Sequence, residues 1–135
     1  MTAPTYLLDT NAITGILKRD ARVVEHVTAA LTADARLFLS PIVYYEVKRG
    51  LLRRDARKQL EFFEQLARSL RWDDLQRVDW DTAARLWASE VAHGHPPQDA
   101  DILIAAQSYR LKAILVIANE HHFAHLGIRV ENWSG

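Results

Sequence analysis

The sequence contains no cysteine. That absence removes disulfides, thiolate zinc sites and cysteine nucleophiles together. An excess of charge of one sign is also missing: 17 basic side chains stand against 17 acidic ones, for a formal net charge of zero. A protein that coats a polyanion carries a cationic surplus, so any contact with nucleic acid here must come from a local patch. No apolar run approaches the ~20 residues that span a bilayer. The start, MTAPTYLLDTN, has neither the basic residues nor the apolar stretch of a secretory leader. The expectation is a cytoplasmic protein without membrane contact.

What is present suits one domain, residues 1–135, with 49% hydrophobic and 25% charged residues. Tyr6-Leu7-Leu8 is a short apolar run that stops at Asp9-Thr10-Asn11, as a buried strand running into a loop does. Thr10 or Asn11 can then cap a helix through Ile13, Ile16 and Leu17. Val23, Val27 and Leu31 continue as a second helix. Arg36–Leu39 is the next strand, ended by Ser40-Pro41, and proline suits the first turn of the helix that Ile42, Val43 and Val47 outline. Helical spacing runs on from Arg53 to Leu70, a strand is expected at Leu75–Val78, and a helix from Trp80 to Val91. Ile102–Ala106 is apolar on nearly every face, which predicts a buried helix. Further strands are expected at Ile114–Ile117 and Ile128–Val130. Alternation of this kind predicts an α/β three-layer sandwich: a central, mainly parallel sheet of four to five strands flanked by helices. Such sheets carry their functional crevice at the carboxyl ends of the strands.

Asp9, Ser40 and Asn119 each follow an expected strand, and that shared location directs attention to the acids. Asp9 either caps a helix or projects into the crevice. Asp101 opens the all-apolar helix, where an ionised carboxylate needs a partner because an unpaired buried charge is costly. No basic residue follows it before Arg110. Asp99, two residues earlier, reads as that helix's cap. Glu46 sits i+4 from Ile42 and i+3 from Val43, on their helical face, and has Arg49 at i+3 as an alternative partner. Three carboxylates in one crevice would repel one another unless a cation joined them. Oxygen-only ligands suit magnesium or manganese, which activate water and stabilise charge on a phosphoryl oxygen.

Leu7-Leu8-Asp9-Thr10-Asn11, Ser40-Pro41-Ile42 leading to Glu46 and Gly50, Asp101-Ile102-Leu103-Ile104-Ala105-Ala106, and Leu115–Asn119 through Phe123 resemble, in that order, the motifs of PIN-domain ribonucleases. Val130-Glu131-Asn132-Trp133 resembles a common ending of the family. Within it, the compact chain resembles VapC toxins of toxin–antitoxin pairs. The resemblance implies Asp9 and Asp101 as principal ligands of Mg2+ (or Mn2+), with Glu46 as third acid and Asn119 at the fourth position. Thr10, Asn11, Ser40 and Asp99 would support them. It also implies an RNA substrate, structured RNA such as transfer RNA first, an inhibitory antitoxin partner and a homodimer. The fourth motif departs from the family pattern: Ile117-Ala118 replace Thr-Asn, and Asn119 supplies no charge.

Lys48, Arg49, Arg53, Arg54, Arg57 and Lys58 crowd beside Glu46, either as a solvated helical face or as a seat for RNA phosphates. His93, His95, His121, His122 and His125 show no zinc signature and read as surface residues. A haloacid-dehalogenase-type phosphatase would need a second Asp at position 11, which is Asn11. A histidine-based, metal-independent ribonuclease and a catalytically weak PIN-fold module that binds RNA or protein remain as alternatives.

Overall fold

The computed structural model describes residues 3–123 and 126–134, apart from the His122 side chain. His125 lies outside the described residues. Five strands form one parallel sheet in the order β3-β2-β1-β4-β5. They are β1 (Thr5–Leu8), β2 (Arg36–Leu39), β3 (Arg71–Trp72), β4 (Ile114–Val116) and β5 (Val130–Glu131). Helices α1 (Thr10–Leu17), α2 (Ala21–Thr32), α3 (Pro41–Arg53) and α4 (Arg57–Ser69) connect the first three strands. Helices α5 (Arg77–Ala92) and α6 (Asp99–Leu111) carry the chain from β3 to β4.

The chain steps outward from β1 to β2 and β3, then crosses to the other side of β1 for β4 and β5. Right-handed crossovers in opposite directions put their helices on opposite faces. Accordingly α1 packs on α2, α3 and α4, while α5 packs on α6. This is the expected three-layer sandwich. The order reverses between β1 and β4, so the connections leaving them part there and open a crevice at their carboxyl ends.

Burial on both sides explains why the central strands read as continuous apolar runs. Leu7, Leu8, Leu39 and Leu115 are fully buried, each worth roughly 1.5–3 kcal/mol relative to exposure. Gly15 allows α1 and α2 to touch: a Cβ there would lie 2.8 Å from Val23 Cγ2.

Two expectations about the middle of the chain need correction. The continuous Arg53–Leu70 helix is interrupted: α3 ends at Arg53 and α4 begins at Arg57, with Asp55 left-handed at φ 52° between them. Aspartate is among the few residues that tolerate that conformation, so no glycine or proline marks the turn. The hairpin is then tied by Tyr44, whose hydroxyl donates to Glu64 at 3.0 Å and accepts from Lys48 at 2.9 Å. The strand expected at Leu75–Val78 lies instead at Arg71–Trp72, and Val78 is already in α5. An ion cluster holds this segment. Arg110 reaches Asp73 at 2.5 Å and nearly inaccessible Asp79 at 2.8 Å, and Gln107 donates to the Asp73 carbonyl at 2.7 Å. The two carboxylates hold the Arg110 guanidinium well above its ordinary pKa.

Candidate active site

Asp9 is the first residue beyond β1, at the point where the strand order reverses. Its backbone N–H still pairs with the Val116 carbonyl of β4 at 3.0 Å, and its own carbonyl accepts from Ile13 in α1 at 3.1 Å. Asp9 therefore occupies the N-cap position of α1, one of the two readings the sequence left for it, while Thr10 and Asn11, the other cap candidates, lie inside the helix. The Asp9 carboxyl is pushed up to about 6, mainly by burial and further by the charges of Asp101 and Glu46. The Thr10 and Asn11 backbone amides pull the other way, although neither meets the geometry of a full capping hydrogen bond.

Asp101 arrives from the opposite face of the sheet. Helix α6 ends at Leu111 and β4 begins at Ile114, after left-handed Lys112. So short a connection makes α6 run antiparallel to β4, and its N-terminal turn stands over the carboxyl end of the strand. The half-buried Asp101 lies in that turn. Gln98, not Asp99, is the N-cap residue; Asp99 is the first helical residue and is exposed. Arg110 lies more than two turns along the helix and is engaged by Asp73 and Asp79.

Glu46 comes from α3, half-buried. Its Oε1 accepts from the Thr10 hydroxyl at 3.1 Å, and its Oε2 lies 3.9 Å from Arg49. Fully buried Ser40 caps α3 by accepting from Ile42 N–H at 3.2 Å. Asn119 is exposed, just past β4. Ile117, in the altered motif, is 3% exposed and bonds the Glu131 carbonyl at 3.0 Å, so an apolar residue suits its place. Asn132, unmarked in the sequence as a positioning residue, donates to the Ala118 carbonyl at 3.1 Å and fixes the loop that bears Asn119. Trp133 anchors it in turn, 3% exposed and packed on Tyr6 and His26.

Two hollows adjoin these residues. One, of about 520 Å³, includes Thr10, Thr14, Lys18, Glu46, Arg53 and Arg54 in its lining. The other, of about 690 Å³, includes Asp101 and Asn119. Of the six basic residues offered as a seat for RNA phosphates, Arg53 and Arg54 line the first hollow. Lys48 is bound to Glu64 at 3.0 Å, Arg49 lies over the Tyr45 ring, and Arg57 pairs with Asp55 at 3.1 Å. Lys18 was missed, although Thr10, Thr14, Leu17 and Lys18 share a helical face by spacing.

The donor chemistry fits a hard divalent cation. Half-buried Asp9, whose proton affinity is raised mainly by burial and further by the Asp101 and Glu46 carboxylates, is a place that a cation would stabilise. Among the described residues the acids do not close into a group of three able to hold a metal. Magnesium needs only one or two carboxylates and keeps several waters. Asp9 and Asp101 suit that role, while Glu46 is held by Thr10 and Arg49.

Residues 6–128 match the PIN domain, and the chain belongs to that family. No curated protein sequence matches it. Its fold is similar to that of VapBC2 from Rickettsia felis bound to a DNA fragment from the promoter, with TM-score 0.85, 22% identity, and 96% of this chain and 98% of that one covered. It is also similar to DNA-bound VapBC from Salmonella typhimurium (TM-score 0.84, 22% identity, 96% and 98% covered). VapBC-1 from nontypeable Haemophilus influenzae aligns at TM-score 0.83 and 22% identity, over 97% and 99%. At these identities the likeness establishes the fold. Among the described residues no helix is long and apolar enough to cross a membrane.

Proposed function

We propose that this chain is a magnesium-dependent endoribonuclease and the toxin of a toxin–antitoxin pair, acting as a single domain in the cytoplasm. One observation carries the reading: Asp9, at the reversal of strand order, has its carboxyl raised to about 6 by burial and by the charges of Asp101 and Glu46. Membership of the PIN domain family, whose members are generally nucleases, supports it.

Asp9 and Asp101 would hold Mg2+, or Mn2+, through carboxylate oxygens. When bound, the cation supplies a more acidic water and stabilises charge on the phosphoryl oxygens. Glu46 Oε2, only distantly paired with Arg49, accepts a proton from the attacking water, and the Thr10 hydroxyl on Oε1 keeps that carboxylate oriented. Asn119 offers its amide to the phosphate without adding charge. Lys18, Arg53 and Arg54 line the adjoining hollow and suit the flanking phosphates. Water's oxygen bonds to phosphorus, the bond from phosphorus to the 3′-oxygen breaks, and that oxygen takes up a proton. The products are a 5′-phosphate and a 3′-hydroxyl.

Transfer RNA is the first candidate substrate, on the family resemblance. The antitoxin would cover the hollow between α1 and the α3–α4 hairpin. Helix α5 supports a homodimer: Trp80 is 55% exposed and Trp87 44%, on the same helical stripe as Val91. The test is incubation of purified protein with RNA in magnesium or in EDTA. Cleavage that requires magnesium and disappears in Asp9→Asn supports the reading. EDTA-resistant cleavage leaving 2′,3′-cyclic ends selects a histidine mechanism, and RNA binding without cleavage selects the binding module.

A further inference from the structure

Helices α1 and α3 present matching stripes to the smaller hollow. The first is Thr10, Thr14, Leu17 and the C-cap Lys18; the second is Glu46, Gly50, Arg53 and the C-cap Arg54. Both follow the i, i+4, i+7, i+8 spacing of one helical face. Thr10 and Glu46, hydrogen-bonded at 3.1 Å, mark the end next to Asp9. Lys18, Arg53 and Arg54 mark the other, about 12 Å along each helix at ~1.5 Å per residue. The hollow is therefore a trough leading away from the acid centre. Its floor is aliphatic, from Val47 and Leu51, 6% and 2% exposed.

Gly50 lies between those ends. Its backbone is not left-handed, so the local conformation does not require glycine, and inside a helix glycine is less favourable than alanine. A Cβ built there would meet no atom of the described residues within 4 Å. Packing explains Gly15, which faces Val23; it does not explain Gly50. The missing side chain leaves bare helix on the trough wall, where another backbone can come close. Arg54 Nε donates to the Gly50 carbonyl at 3.4 Å, which stands a guanidinium beside that bare stretch. Among the described residues Lys18, Arg53 and Arg54 take part in no ion pair. Three such cations at one end suit phosphates, and the aliphatic floor suits the sugars between them.

We propose that Gly50 is a specificity-determining residue, at which the sugar–phosphate backbone of one RNA strand lies directly on α3 on its way from the acid centre to Lys18, Arg53 and Arg54. The proposal deepens the nuclease reading and rests on it for its biological meaning.

The experiment compares the wild type with Gly50→Ala, which changes no charge. Each is measured by thermal unfolding and by fluorescence anisotropy with a labelled oligouridylate, in EDTA, across a salt series. Alanine should raise Tm by about 3 °C, because it favours the helix and meets open space. Affinity for the oligouridylate should fall roughly tenfold, the effect of one clashing methyl group. Because the lost contact is steric, log affinity against log salt should keep its slope, whereas Lys18→Ala should lower that slope by about 0.7. Gly50→Leu, another good helix former, should bind more weakly still. Unchanged or tighter binding by Gly50→Ala would overturn the proposal and leave the space to a peptide partner. A lower Tm would overturn it as well, since the glycine would then serve the fold. Weakened binding by Gly50→Ala, in a protein whose wild type cuts no RNA, would sink the nuclease reading alone. RNA cleavage by the wild type, with Gly50→Ala binding as the wild type does, would sink the trough alone.

Discussion

Replacing Asp9 by asparagine should make the metal-free protein more stable at neutral pH. The Asp9 carboxyl is raised from 3.8 to about 6, so the folded state holds this proton more tightly than the unfolded chain does. Stability from this group is therefore greatest below about pH 4 and falls as pH rises through about 6. Above that, keeping the carboxylate ionised costs about 3 kcal/mol. An asparagine in its place carries no charge, although it still buries an amide and receives weaker support from the Thr10 and Asn11 N–H groups. A net gain of roughly 1–3 kcal/mol is expected, or about 3–10 °C in Tm for a chain of this length. The assay is thermal unfolding of both proteins in EDTA from pH 4.5 to 8. The difference should be largest above pH 7 and narrow towards pH 4.5, as Asp9 of the wild type takes up its proton. Magnesium should stabilise the wild type and leave the variant unmoved. An Asp9→Asn variant that is less stable at pH 7.5, or a difference that ignores pH, would refute the reasoning.

Asp101→Asn should abolish RNA cleavage at limiting magnesium with the circular dichroism spectrum unchanged; full activity would remove Asp101 from the site. Arg53→Ala with Arg54→Ala should lower the slope of log affinity for RNA against log salt by about 0.7 for each phosphate no longer neutralised. Arg57→Ala should leave the slope unchanged, since Arg57 pairs with Asp55. Arg110→Ala should cost about 3–5 kcal/mol in urea denaturation, because it strands Asp79 at 1% exposure without its partner. Trp87→Glu should shift sedimentation from dimer to monomer; a wild type already monomeric at micromolar concentration counts against that interface.

The fold was legible because burial on both sides leaves a plain signature. Tyr6–Leu8, Leu37–Leu39 and Ile114–Ile117 are uninterrupted apolar runs along the central strands; Asp9 and Ser40 follow the first two directly, and Asn119 follows the third after Ala118. Strand β3 was misplaced because its two residues, Arg71 and Trp72, are both exposed and too few to form an apolar run or an alternation. The ion cluster of Arg110, Asp73 and Asp79 was invisible for another reason. Arg110 lies more than thirty residues from either aspartate and meets them only after α5 folds onto α6. At the candidate site, residue types were readable while partners were not. Spacing offered Arg49 to Glu46, whereas the closer contact is the Thr10 hydroxyl from another helix. The basic run from Lys48 to Lys58 looked uniform, yet local acids and a turn at Asp55 leave Arg53 and Arg54 beside the hollow and divert Lys48 and Arg57.

Manganese titration followed by nuclear magnetic resonance tests the cation site most directly, because a paramagnetic ion broadens signals within a short radius. Signals of Asp9, Thr10 and Asp101 should broaden first, at equimolar metal, and magnesium should restore them by competition. Broadening elsewhere, with those three unaffected, would contradict the account.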